Sequence, residues 1–180
     1  MSEYAQDFVR HLQALHEKDR AASAILRRSL GFSPGAYPPA YPYVERFVAS
    51  ERHAKDASRL ALYTVAGLYA RHPQHGKHTL ATAWAELMRK RDLSPSIEKR
   101  FITLLGADPE QLPDYLRQIV SLLAADGIAL DYAALLDDLS RWLNPYLDPE
   151  WRDQIRQRWA RDFYRALAPQ TAADTDASSN

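Results

Sequence analysis

The chain has 180 residues, 46% of them hydrophobic, enough to bury the core of one substantial domain or two small ones. It contains no cysteine, which excludes a disulfide framework, a thiolate metal site and a cysteine nucleophile together. The 23 basic and 23 acidic residues cancel, yet residues 1–106 hold 16 Lys and Arg against 10 Asp and Glu while residues 107–180 hold 7 against 13, a basic half followed by an acidic one.

Helical periodicity runs through nearly the whole chain, and no stretch keeps the alternation of a half-buried strand. Tyr4 to Lys18 carries Phe8, Leu12 and Leu15 at helical spacing, and Asp19 is placed to cap a second helix that ends near Gly31. Gly31 to Pro42 packs four prolines and two glycines into twelve residues, so an extended, semi-rigid loop is expected. A short helix over Tyr43 to Ala49 precedes a longer one from about Ala54 to Arg71, apolar on several faces and therefore expected at the centre of its bundle. After a polar break at His72 to His78, Thr79 to Arg91 forms an amphipathic helix around Leu80, Trp84 and Leu87.

Ser94 and Pro95 read as a capping residue and first-turn proline, with Gly106 closing that helix. The next helix starts at Asp108 or, given Pro113, about a turn later, and Gly127 ends it. Tyr132, Leu135, Leu136, Leu139, Trp142, Leu143 and Tyr146 form one stripe, broken by Asn144 and Pro145. Asp148 and Pro149 open a last helix that buries Ile155, Trp159 and Phe163. The expected fold is all-α: two packed helical bundles of about nine helices and no sheet. Residues 1–93 form a basic N-terminal bundle and 94–167 a C-terminal one, and 168–180, with no aromatic or large aliphatic residue, form a disordered tail.

Catalytic signatures are missing: there is no G-x-S-x-G, no glycine-rich phosphate loop and no H-E-x-x-H. His72, His75 and His78 have a spacing that invites a metal reading, but Pro73 and Gly76 make this segment a solvated surface turn. Asp137 and Asp138 are adjacent on a helix and point about 100° apart, so they do not converge as a catalytic pair. No enzyme activity and no cofactor is expected. No apolar run approaches the roughly 18 residues of a membrane span, and Glu3 and Asp7 stand where a signal peptide would be positive, so no membrane association and a cytoplasmic protein are expected.

The cations are more informative. Eighteen of the 23 are Arg, whose planar fork suits phosphate oxygens. At 100° per residue, Arg20 and Arg27 fall opposite Ala22 and Leu26, with Arg28 at the margin. Lys99 points away from Ile97, Phe101 and Leu104, Arg117 from Ile119 and Leu123, and Arg141 from Leu135, Leu139 and Trp142. Arg158, Arg161 and Arg165 form a stripe opposite Trp159 and Phe163. Each such face is either plainly solvated or part of a track that binds phosphate without reading bases. Tyr37, Tyr41 and Tyr43 stand free of core spacing, as a partner contact or a loop anchor.

Four segments carry a resemblance: Arg27-Arg28-Ser29-Leu30 with the loop to Tyr43-Val44-Glu45-Arg46-Phe47; Ser96-Ile97-Glu98-Lys99-Arg100-Phe101; Leu135-Leu136-Asp137-Asp138-Leu139 with Arg141-Trp142; and Trp159-Ala160-Arg161-Asp162-Phe163-Tyr164. In this order and spacing the chain, over about residues 4–166, resembles the CasB family, the small subunit of the type I-E CRISPR Cascade effector. The resemblance implies a two-bundle protein present in two copies, contacting the large subunit, the backbone subunits and the guide RNA-DNA assembly. It also implies a sequence-blind path for single-stranded DNA. Arg27, Arg28, Lys99 and Arg100 lie in matching motifs and lead the candidate contacts, followed by Arg117 and Arg141, with Arg20 and Arg161 beside them. Arg161 has an alternative role in an ion pair with a core acid. The competing reading is a subunit that bridges proteins only, its arginines pairing with neighbours and never touching DNA.

Overall fold

The computed structural model describes residues 2–49 and 56–168, and among them the fold is all-α, with no strand and a single isolated bridge between His75 and Leu130. The expected tail beyond residue 168 and the start of the long helix at Ala54 lie outside the described residues. The helices are α1 (Glu3–Lys18), α2 (Arg20–Ser29), α3 (Tyr41–Val44), α4 (Ala57–Arg71), α5 (Leu80–Lys90), α6 (Pro95–Leu105), α7 (Leu112–Ala125), α8 (Tyr132–Trp142) and α9 (Pro149–Leu167). None is long and apolar enough to cross a membrane.

Local chemistry sets the boundaries. The Asp19 carboxylate accepts from the Ala22 amide at 2.9 Å, Asp56, Thr79, Asp131 and Asp148 cap their helices in the same way, and each satisfies amide donors that the first turn leaves free. Pro95 occupies the first turn of α6, but Ser94 does not cap it, because the Ser94 hydroxyl turns to Ser96 at 3.0 Å. Helix α7 begins at Leu112, with Pro113 in its first turn. Gly127, at φ 64°, ends α7, and the Ile128 amide closes back on the Leu123 carbonyl at 3.0 Å.

Twelve of the fifteen residues of α4 are buried, which makes it the central helix. It packs against α2, α7 and α8, while α9 lies on α5 and α6 lies between α5, α7 and α9. One hydrophobic cluster runs through both halves of the chain, from Phe8 and Leu12 through Leu62 and Leu68 to Phe101, Leu116, Leu136, Trp159 and Phe163. The end of α2 reaches α4 at Gly67, where a Cβ would stand 2.6 Å from Leu30 Cδ2.

Three further expectations need correction. The proline-rich segment is not extended throughout: a 3-10 turn at Pro38–Ala40 leads directly into α3, which accepts Pro42 because its missing N–H falls in a first turn. Tyr146 leaves the α8 stripe and is 94% exposed, since the helix has already ended at Trp142. The segment His72 to His78 is not a merely solvated turn. His72 is buried with Nε2 2.6 Å from the Ile128 carbonyl, and main-chain bonds join Gly76 to Leu130 and Asp131 to His78. Its three imidazoles do not converge, and no group of three or more potential metal ligands occurs among the described residues.

Candidate nucleic-acid interface

Helical phase predicts outward cations, and Arg20, Arg27, Arg28, Lys99, Arg100, Arg117, Arg141 and Arg161 are all exposed. What phase alone does not supply is their grouping. Arg27 from α2, Arg71 from the last turn of α4, Arg100 from α6 and Arg117 from α7 line one groove of about 520 Å³, together with Leu30, Gly31, Gln118, Ser121 and Leu122. No carboxylate is among these lining residues. Four arginines from four helices therefore line a common space, the arrangement that draws an anionic backbone.

The groove is held in shape by its own members. Arg117 Nη1 donates to the Leu30 carbonyl at 3.2 Å, tying α7 to the last turn of α2. The same guanidinium lies 3.7 Å from Asp114, a pair between exposed side chains that contributes little and leaves the cation available. The floor is apolar at Leu30 and Leu122, with Gln118 and Ser121 supplying neutral polar groups.

The other cations are distributed differently. Arg20 and Arg28 lie on α2 and Lys99 on α6, the helices that carry Arg27 and Arg100, but outside the groove lining. Arg141 lines a separate hollow that also carries Asp137, Asp138, Asp162 and Arg158. Arg161 lies on α9 and does not line the groove. The arginine that pairs with a core acid in this helix is Arg158, hydrogen-bonded to Asp138, which also accepts from Trp159 Nε1 at 2.7 Å.

The three loop tyrosines are not free. Tyr37 stacks on Phe32 at 4.6 Å, the Tyr41 hydroxyl donates to the Gly35 carbonyl at 3.0 Å, and all three pack partly against the core. They are loop anchors. Sequence reasoning missed Arg71, whose only signal is its position at the end of the most apolar helix, and it missed Phe32, the half-exposed aromatic beside Gly31.

Comparison with known proteins agrees with this architecture. The sequence model of the family described as CRISPR-associated protein Cse2 matches residues 22–164. A CRISPR-associated protein Cse2 from Thermus thermophilus is 42% identical over 163 residues, covering 90% of this chain and 89% of the relative. The crystal structure of CasB from Thermus thermophilus superposes with a TM-score of 0.76 at 42% identity, over 92% of this chain and 99% of that one. A chain of a CRISPR RNA-guided surveillance complex shares the fold, with a TM-score of 0.78 at 24% identity over 92% of this chain and 94% of that one. With this extent of sequence identity and a common helical frame, the chain belongs to the CRISPR-associated Cse2 family, also called CasB.

Proposed function

We propose that this chain is the small, non-enzymatic subunit of a cytoplasmic type I-E CRISPR Cascade surveillance complex, and that it holds opened target DNA without reading its sequence. The observation that carries the reading is the groove in which Arg27, Arg71, Arg100 and Arg117 converge, with no carboxylate among its described lining residues. Guide pairing reads sequence in such complexes, so the displaced strand needs only a cationic path. Exposed Arg28 and Lys99 are the sequence neighbours of Arg27 and Arg100 on α2 and α6 and add to the positive charge of those helices, with Arg20 at the start of α2. Arg141 and Arg161, on other helices, serve contacts outside this path. The partners in this reading are the large subunit, the backbone subunits, a second copy of the chain, and single-stranded DNA in the guide RNA-DNA assembly.

The test is a salt titration of single-stranded DNA binding by the full chain, wild type against the quadruple Arg27, Arg71, Arg100, Arg117 to Ala variant. Each phosphate contact contributes about −0.7 to the log-log slope, so four lost contacts reduce its magnitude by about 3. An unchanged slope overturns the groove assignment. In the assembled complex, Lys99→Glu with Arg100→Glu should leave assembly intact while weakening retention of opened DNA. Loss of assembly instead would favour the protein-bridging role.

A further inference from the structure

We propose that Phe32, backed by Tyr37, is a stacking platform for one nucleobase of a single strand whose phosphates lie in the arginine groove; this rests on the groove reading above. Phe32 is 50% exposed, and Tyr37 covers one face of its ring at a centroid distance of 4.6 Å and an interplanar angle of 20°. Its backing is firm, because Tyr37 packs partly against the core. The loop between them is pinned as well: the Phe32 amide donates to Ser29 at 3.0 Å, and the Gly35 carbonyl accepts from Tyr41 at 3.0 Å. A side chain fixed before the ligand arrives loses little freedom on binding it.

The position is what gives the ring a ligand. Phe32 lines a hollow of about 320 Å³ that shares Leu30, Gly31 and Arg117 with the arginine groove, so the two spaces adjoin across those residues. They differ in charge. The hollow carries Glu110 and Asp114, which repel a phosphate but accept hydrogen bonds from the N–H groups of a neutral base. The division places the backbone on the arginine side and a base on the Phe32 side. The other large exposed aromatics, Tyr4, Tyr146, Trp151 and Tyr164, line neither space.

The test uses fluorescence anisotropy of the full chain with two labelled probes, an oligothymidylate and a strand of equal length made of abasic deoxyribose phosphates. Removing one stacked base contact weakens binding by about 5- to 150-fold, so Phe32→Ala should lose at least about fivefold on the oligothymidylate at an unchanged salt slope. Phe32→Tyr should keep wild-type affinity. On the abasic strand, wild type and Phe32→Ala should bind alike. Equal affinity of Phe32→Ala and wild type for the oligothymidylate overturns the stacking and leaves the groove standing. An equal loss on both strands marks loop damage and overturns it too. If the wild type shows no salt-dependent binding of either strand, the groove reading falls and the stacking with it.

Discussion

Glu45 holds Arg59 through a single oxygen: Oε1 accepts from Arg59 Nε at 3.1 Å and from Nη2 at 2.7 Å. The Tyr63 hydroxyl donates to the same atom at 2.6 Å, and the guanidinium lies 4.7 Å from the Tyr63 ring centroid. Burial alone would lower the Arg59 pKa, but the Glu45 carboxylate outweighs it, while burial and the bond to Glu45 push the Tyr63 phenol well above its ordinary range. The cluster joins the segment after α3 to the central helix. Replacing Glu45 by Ala removes three charge-assisted bonds and should cost about 2 to 3 kcal/mol, read as a lower urea midpoint at constant m-value. A cost below about 0.5 kcal/mol would mean that water replaces the carboxylate freely.

Gly35 faces the same guanidinium. Its φ is 76°, and an added Cβ would stand 2.2 Å from Arg59 Nη1. Gly35→Ala should therefore destabilise by more than the roughly 1 kcal/mol of the left-handed backbone alone. A double variant with Arg59→Ala should recover the excess, which a double-mutant cycle measures.

Two tryptophans in ring contact, Trp142 and Trp159 at 5.2 Å, separate packing from hydrogen bonding. Trp159 Nε1 donates to Asp138 at 2.7 Å, whereas Trp142 Nε1 is buried with no hydrogen-bond partner among the described residues. Trp142→Phe gives up no hydrogen bond, so Trp159→Phe should cost about 1 to 2 kcal/mol more. Equal thermal shifts for the two variants would show that the Asp138 bond contributes nothing net.

Asp92 and Leu93 follow α5 at φ 53° and 55°, and the Leu93 amide closes on the Met88 carbonyl at 2.9 Å. This is the helix end that glycine favours. Asp92→Gly should stabilise by about 0.5 to 1 kcal/mol despite the added freedom of the unfolded chain. A lower melting temperature would show that the Asp92 side chain supports the turn.

His11 gives a pH signature. Its Nδ1 accepts from Arg46 at 2.6 Å and its Nε2–H donates to the Tyr43 carbonyl at 2.8 Å, an arrangement only the neutral ring allows. Burial lowers its pKa below 6.5, the Tyr43 carbonyl opposes this, and the Arg46 charge lowers it further. Below about pH 6.5 the unfolded chain takes up a proton that the folded one resists, so stability falls as pH falls through that window. The dependence should be shallower in His11→Gln between about pH 5 and 6.5. Parallel curves would show that His11 does not contribute.

Much of the fold was legible because helix ends are local chemistry. Asp19, Pro95, Gly106, Gly127 and Asp148 with Pro149 each act within one turn of their own position, and the structure uses each of them at a helix boundary. Ser94 was misread because its hydroxyl had a competing neighbour in Ser96. Tyr146 kept the period of α8 but not its backbone, which Asn144 and Pro145 had already released. The outward direction of the cations was legible for the same local reason. Their convergence was not, since Arg27, Arg71, Arg100 and Arg117 meet only through the packing of α2, α4, α6 and α7.

The central position of α4 has a mechanical consequence. One wall of the arginine groove, Arg27 and Arg71, belongs to the first half of the chain, and the other, Arg100 and Arg117, to the second. Because α4 is buried on nearly every side and packs on α2 as well as α7, one packed core carries both walls. The width of the groove is then set by that core. On the proposed function, a strand entering the groove adjusts its own torsions to fit, and a flexible single strand does this far more readily than a stiff duplex.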